Sequence, residues 1–253
     1  MKKLLSWNVN GIRAAEKKGF ASWLASERPY LLGVQETKAR PEQLSCALLD
    51  PPGYFTYWSA AEKAGYSGTA VFAAQKPESV RYGFGVREFD REGRTILLEY
   101  PDFYFLNIYF PNGGADLKRL DYKLAFYAEF LGFAGKLKKS GKTVIVCGDV
   151  NTAHRDIDLA RPRQNETHTG FLPQERAWLD RFTLEFADTF RLFHREGGHY
   201  SWWDLKTGAR ARNTGWRLDY FYVDRESAAR VEDAYIMPEV TGSDHCPVAL
   251  ILK

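Results

Sequence analysis

Thr143-Val144-Ile145-Val146-Cys147-Gly148-Asp149-Val150-Asn151 is a run of β-branched apolar residues that stops at a glycine, a carboxylate and an amide. β-Branched side chains suit a pleated surface, and Gly, Asp and Asn favour the turn that follows it. The stretch reads as a strand with polar groups at its end. Five further apolar runs meet clusters of the same kind: Ser6-Trp7-Asn8-Val9-Asn10-Gly11, Val34-Gln35-Glu36-Thr37-Lys38, Asn107-Ile108-Tyr109-Phe110-Pro111-Asn112, Arg217-Leu218-Asp219-Tyr220 and Gly242-Ser243-Asp244-His245. Carboxylates and amides at strand ends can converge at a sheet edge on rigid backbone, as a metal-assisted site requires.

Working outward, apolar runs predict strands at 3–7, 31–35, 69–73, 95–100, 104–110, 143–148, 218–223 and 247–252. Amphipathic stretches predict helices over 15–27 and 116–139. A third helix begins near Phe171-Leu172-Pro173-Gln174-Glu175-Arg176, where proline at an early helical position and a following acid suit a helix start. Strands and helices alternate unevenly, so the fold class is mixed α/β. No repeat or linker-like break divides the chain, and a single catalytic domain over 1–253 is expected.

Hydrophobic residues form 45% of the chain and aromatics 15%, enough apolar area for a core. No run approaches the roughly 18 apolar residues that cross a bilayer. Met1–Leu5 reaches Ser6 and Asn8 too soon for a signal peptide, which predicts a cytoplasmic protein with no membrane partner. Cys46, Cys147 and Cys246 are far apart and read as reduced thiols. The net charge of +3 is nearly balanced. Between Asp204 and Arg217, however, Lys206, Arg210, Arg212 and Arg217 face a single acid and accompany Trp202, Trp203 and Trp216, a pattern that suits phosphates beside stacking surfaces.

Oxygen-rich ligands favour a hard cation, and Glu36, Asp149 and Asp244 supply that environment for Mg²⁺. Two tempting motifs fail. Gly141-Lys142-Thr143 lacks the P-loop glycine, because Lys136 stands there. Ser243, Asp244 and His245 are adjacent and have no G-x-S-x-G elbow, so they make no hydrolase triad. Cys246 is expected to pack under the site. His154, His168, His194 and His199 take the ordinary reading of surface or hydrogen-bonded histidines.

The strings at 6–13, 35–38, Gly65-Tyr66-Ser67-Gly68, 170–176, Gly215-Trp216-Arg217-Leu218-Asp219-Tyr220 and 242–247 occur in one order. In this the chain resembles the exonuclease III family of apurinic/apyrimidinic (AP) endonucleases, within the endonuclease/exonuclease/phosphatase superfamily, from Leu5 to Leu252. The resemblance implies two packed β-sheets flanked by helices, a four-layer α/β sandwich of the DNase I-like kind. It implies hydrolysis of the phosphodiester 5′ to an abasic site, with some 3′-to-5′ exonuclease or 3′-repair activity. Mg²⁺ is the implied cofactor, with Mn²⁺ substituting. The implied partner is double-stranded DNA with abasic or 3′-blocked sites, acted on by a monomer.

Residue by residue, the resemblance implies that Glu36 binds the cation with Asn8, Asn10 and Asp244 near it. Asp149 accepts or orients the proton of the attacking water, or binds a second metal, and Asn151 helps hold the phosphate; Asn151 and His245 also count among the metal-site residues that the resemblance implies. Tyr109 and Asn112 contact the scissile phosphate, and His245, oriented by Asp219, donates to a non-bridging oxygen. Trp202, Trp216 and Leu218 wall the pocket for the baseless sugar. The chemistry supports this set, because a phosphodiester gains negative charge under attack and needs cations and donors to offset it. Asn10 stands where some members have Asp, and Ala115 where vertebrate members have an arginine. A phosphoesterase acting on another substrate and a catalytically silent DNA-binding protein are the competing readings.

Overall fold

A computed structural model describes residues 1–253. Twelve strands form two six-stranded sheets. The first contains β1 (Lys2–Asn8), β2 (Leu31–Gln35), β3 (Phe55–Ser59), β4 (Thr69–Ala73), β11 (Val231–Ile236) and β12 (Val248–Leu252), in the order β11-β12-β1-β2-β4-β3. The second contains β5 (Ser79–Tyr82), β6 (Thr95–Glu99), β7 (Phe103–Tyr109), β8 (Thr143–Asp149), β9 (Phe186–Asp188) and β10 (Asp219–Asp224), in the order β5-β6-β7-β8-β10-β9.

The run that opened the sequence analysis explains the layering. All seven residues of β8 are buried. Side chains alternate between faces: Val144 and Val146 pack in one apolar cluster with Phe126, Phe130, Trp178 and Phe182 of the helices Leu120–Lys138 and Pro173–Glu185. Ile145 and Cys147 face the opposite sheet, in a cluster that includes Leu4, Leu31, Val71 and Leu250. On the far side, Leu5, Trp7, Leu32 and Val34 pack against Phe20 and Leu24 of the helix Phe20–Glu27. The result is the expected four-layer sandwich, helices outside and two sheets sharing a central core.

All eight expected strands are present. Four were not anticipated, β3, β5, β9 and β11, and these are the four edges of the two sheets. An edge strand is covered on fewer sides and tolerates charge and exposure. Thus Val231–Ile236 places Glu232 and Asp233 in the open, and Ser79–Tyr82 is mostly exposed. The helix expected over 15–27 is two helices, Ile12–Lys17 and Phe20–Glu27, because Gly19 breaks it at φ 98°.

Candidate active site

Strand direction decides where the polar ends go. β1 and β2 run parallel, as do β7 and β8, so Asn8, the Gln35–Glu36 step, Tyr109 and Asp149 all lie at carboxyl ends. β10 and β12 are antiparallel to these neighbours and contribute the residues at or before their starts. Asp219 therefore sits in register with Asp149, and Asp244 and His245 arrive just ahead of Val248. Gly148 is needed at this point: with φ 141°, a Cβ there would lie 1.7 Å from the Ile108 carbonyl oxygen. Close passage of β7 and β8 thus depends on a residue without a side chain.

The two sheets are tied together by Asn8, whose Nδ2 donates to Glu36 Oε1 and to Asp149 Oδ2, both at 2.9 Å. Lys38 Nζ lies 2.7 Å from Glu36 Oε2 and also donates to Asn10 Oδ1, while Asn10 Nδ2 donates to Asp244 Oδ1 at 2.9 Å. Asn10, Glu36, Lys38 and Asn151 are four of the eight non-glycine residues with positive φ. Such backbone costs about 1–2 kcal/mol per residue. Its concentration here is the pattern of a functional site held by its surroundings.

Asp149 is buried and accepts at Oδ1 from the Asn151 backbone N–H at 2.8 Å. Burial pushes its pKa above the ordinary carboxylate range against the opposing pull of His245. His245 Nδ1 meets Asp219 Oδ2 at 2.8 Å, and its Nε2 points towards Asp149 Oδ2 at 3.9 Å. Burial alone would lower the His245 pKa, but Asp219, then Asp149 and Asp244, raise it to about 10. This ring is therefore a fixed imidazolium at neutral pH. Burial and the nearby Glu36 and Asp149 keep the Tyr109 phenol protonated and available as a donor. Asn112 Nδ2 donates to Asn151 Oδ1 at 3.0 Å.

A cavity of about 220 Å³ opens among these groups. Ten of the thirteen residues singled out from sequence line it: Glu36, Tyr109, Asn112, Asp149, Asn151, Trp202, Trp216, Leu218, Asp244 and His245. Asn8, Asn10 and Asp219 stand behind the lining and bond to it. Trp202 Nε1 donates to Asp244 Oδ2 at 3.1 Å, and the Trp202 and Trp216 rings meet edge to face with centroids 6.4 Å apart. Behind them, Leu218 packs with Ala153, Leu159 and Phe171.

The profile of the Endonuclease/Exonuclease/phosphatase family matches residues 5–245. The chain belongs to this family. It is 46% identical to the exodeoxyribonuclease of Bacillus subtilis (strain 168) over 255 residues, covering 99% of each protein. Its fold matches an AP endonuclease from Archaeoglobus fulgidus with a TM-score of 0.91 at 27% identity, over 100% of both chains. It also matches a 3′ phosphatase from Neisseria bound to product DNA hairpin, with a TM-score of 0.92 at 26% identity over 100% of both chains.

The family is metal-dependent, and the donor set here fits a cation. Asp149, Asp219 and His245 each offer a ligand atom within 4.8 Å of one another, although Asp219 is committed to the imidazole. Beside them, Glu36 Oε2 and Asn10 Oδ1 converge on the Lys38 ammonium, which stands in for a cation at hard oxygens.

Sequence reasoning missed several supports. Ser201 Oγ donates to Asp219 Oδ2 at 2.6 Å and accepts from the backbone N–H groups of Leu218 and Asp219, fixing the carboxylate that holds His245. Lys123, fully buried, donates to the Asn151 carbonyl and to Glu175, each at 2.7 Å. Thr169 and Gly170 complete the cavity wall. The basic, Trp-rich segment is corrected: Arg210 donates to the carbonyls of Pro238, Val240 and Ser243 and stacks on buried Trp203, and Arg212 bonds carbonyls of its own turn. Arg217 is buried between Asp158 and Asp188. These cations anchor the loops that carry Trp202 and Trp216, a structural use of charge that local composition does not distinguish from phosphate binding. Cys246 is buried, packed with Tyr200, Trp203 and Ala209. No helix is long and apolar enough to cross a membrane.

Proposed function

We propose that this chain is a Mg²⁺-dependent AP endonuclease that hydrolyses the phosphodiester 5′ to an abasic residue in double-stranded DNA and also trims or repairs 3′ ends. The observation that carries the reading is the union, in one 220 Å³ cavity, of a carboxylate–imidazolium centre with two tryptophan walls. The names of the relatives, an exodeoxyribonuclease, an AP endonuclease and a DNA-bound 3′ phosphatase, support DNA as the substrate.

Glu36, with Asn10 and Asp244 beside it, holds the cation, which supplies positive charge to the phosphate oxygens when bound; Mn²⁺ substitutes. Asn8 links that group to Asp149. Asp149, its basicity raised by burial, takes the proton of the attacking water while the water oxygen bonds to phosphorus and the P–O3′ bond breaks, the 3′ oxygen of the upstream nucleotide leaving as a hydroxyl with a proton from solvent. His245 donates through Nε2 to a non-bridging oxygen, with Asp219 and Ser201 fixing the ring. Asn151, Tyr109 and Asn112 donate to the scissile phosphate and stabilise the extra charge of the transition state. Trp202, Trp216 and Leu218 receive the baseless sugar, which leaves the helix at lower unstacking cost than a whole nucleotide. The reading is of one catalytic domain over 1–253, monomeric and cytoplasmic.

Matched duplexes carrying an abasic site, a uracil or a nick, incubated with Mg²⁺, test the substrate. Incision immediately 5′ to the abasic residue is expected, well above that beside uracil. An intact abasic duplex together with turnover of a soluble phosphodiester would move the assignment to another substrate.

A further inference from the structure

A second cavity, of about 440 Å³, shares no lining residue with the nuclease cavity and is bordered by Phe190, His194, His199, Tyr200, Trp203 and Arg210 among others. At its rim, His194, Glu196 and His199 each present a ligand atom within 4.8 Å of one another. We propose that these three residues form a second metal site, separate from the nuclease centre, that takes a transition-metal dication of the Zn²⁺ class.

Three observations carry this beyond proximity. The first is the protonation of His194. Its Nε2 lies 3.1 Å from the Ala234 carbonyl oxygen, which only accepts, so Nε2 carries the proton and Nδ1 presents its lone pair. Metal-ligating histidines are held in the same way, one nitrogen on a carbonyl and the other on the ion. The Nδ1 atom lies 3.7 Å from Glu196 Oε1. The ring is also clamped by stacking on Phe190, with centroids 4.4 Å apart.

The second observation is spacing. His199 Nε2 lies 2.9 Å from Glu196 Oε1. Tetrahedral Zn²⁺ at about 2.0–2.1 Å from each donor requires donor pairs about 3.3 Å apart. The separations of 3.7 and 2.9 Å bracket that value, and the third pair, His194 to His199, lies within 4.8 Å, so the two imidazoles close on the ion about a carboxylate already between them. The ion replaces the His199 Nε2 proton, which now bridges to Glu196.

The third is a backbone already fixed in place. Arg191 donates to the carbonyls of His194 at 3.0 Å and Glu196 at 2.7 Å, and Asn213 Nδ2 donates to the Gly198 carbonyl at 2.9 Å. Ligands on a tethered loop lose little entropy on binding. Two imidazoles and one carboxylate favour Zn²⁺ over Mg²⁺. The bound ion would brace the loop leading to Ser201 and Trp202.

The test uses the full chain, stripped of metal, in excess Mg²⁺. It is dialysed against Zn²⁺, and bound zinc is counted. The wild type should hold one more Zn²⁺ per chain than a His194→Gln/His199→Gln variant, and Glu196→Gln alone should weaken binding about 10-fold or more. Zinc entering the nuclease centre would do so in every protein and cancel in the difference. All variants should keep wild-type Mg²⁺-dependent cleavage, which also shows that they fold. Equal zinc content in wild type and the double variant would overturn the proposal, as would unchanged affinity in Glu196→Gln.

Discussion

Replacing Asp219 by Asn removes the charge that holds His245 as an imidazolium, and the structure sets the size of the effect. The two side chains are buried, with Oδ2 and Nδ1 2.8 Å apart. Opposite unit charges about 4 Å apart, at an effective dielectric constant near 20, attract by about 4 kcal/mol. That is roughly three pKa units, most of the rise that brings His245 to about 10. A raised pKa means that the charged form persists from acid pH up to the folded value. In Asp219→Asn the imidazolium should therefore be lost from near-neutral pH upwards, moving the alkaline limb of turnover down the pH scale. Loss of one transition-state donor lowers kcat by about 10²–10³-fold, and His245→Asn should fall in that range. Because Asp219 acts through His245, the double variant should be little worse than the poorer single variant. Single-turnover cleavage of an abasic duplex across pH measures all three. Additive losses, or an alkaline limb that stays in place in Asp219→Asn, would show that the pair does not act as a unit.

Trp216→Ala, and more weakly Trp202→Ala, should widen the sugar pocket, so that cleavage beside normal or altered bases gains relative to abasic cleavage; an unchanged ratio in folded variants at fixed salt would place selectivity elsewhere. Burial opposes ionisation of Asp158, but Arg217 and Arg191 hold its pKa well below the usual carboxylate range. A depressed folded pKa stabilises the protein above the unfolded value of about 3.9 and ceases to do so as pH falls through the folded value. Asp158→Asn, which breaks a buried ion pair, should cost about 3–5 kcal/mol at pH 7. At about 2–4 °C per kcal/mol the loss in Tm should be on the order of 10 °C, narrowing below pH 4. A melting difference independent of pH would contradict it.

The centre of the molecule was legible and its margins were not. Central strands such as β8 are buried on both faces and must be written in apolar residues, whereas β5 and β11 lie at edges where Arg81, Glu232 and Asp233 face water. The same distinction runs through the site. Residues that meet the substrate are carboxylates, amides, indoles and an imidazole at strand ends, and their chemistry shows in the string itself. Ser201, Lys123 and Glu175 act on those residues from other parts of the chain, through bonds that exist only once the loops are packed. Arg210 and Arg217 have the composition of a phosphate grip, yet their partners, carbonyls from 238–243 and the carboxylates of Asp158 and Asp188, are distant in sequence.

The most direct test of the central claim follows a 5′-labelled abasic duplex through metal removal and restoration, with Asp149→Asn alongside the wild type. Cleavage should cease in EDTA and return with Mg²⁺ or Mn²⁺, giving one product that ends immediately 5′ to the abasic residue. Asp149→Asn should bind the duplex nearly as well as the wild type yet turn over far more slowly. Undiminished cleavage in EDTA, or near-full turnover by Asp149→Asn, would contradict the account.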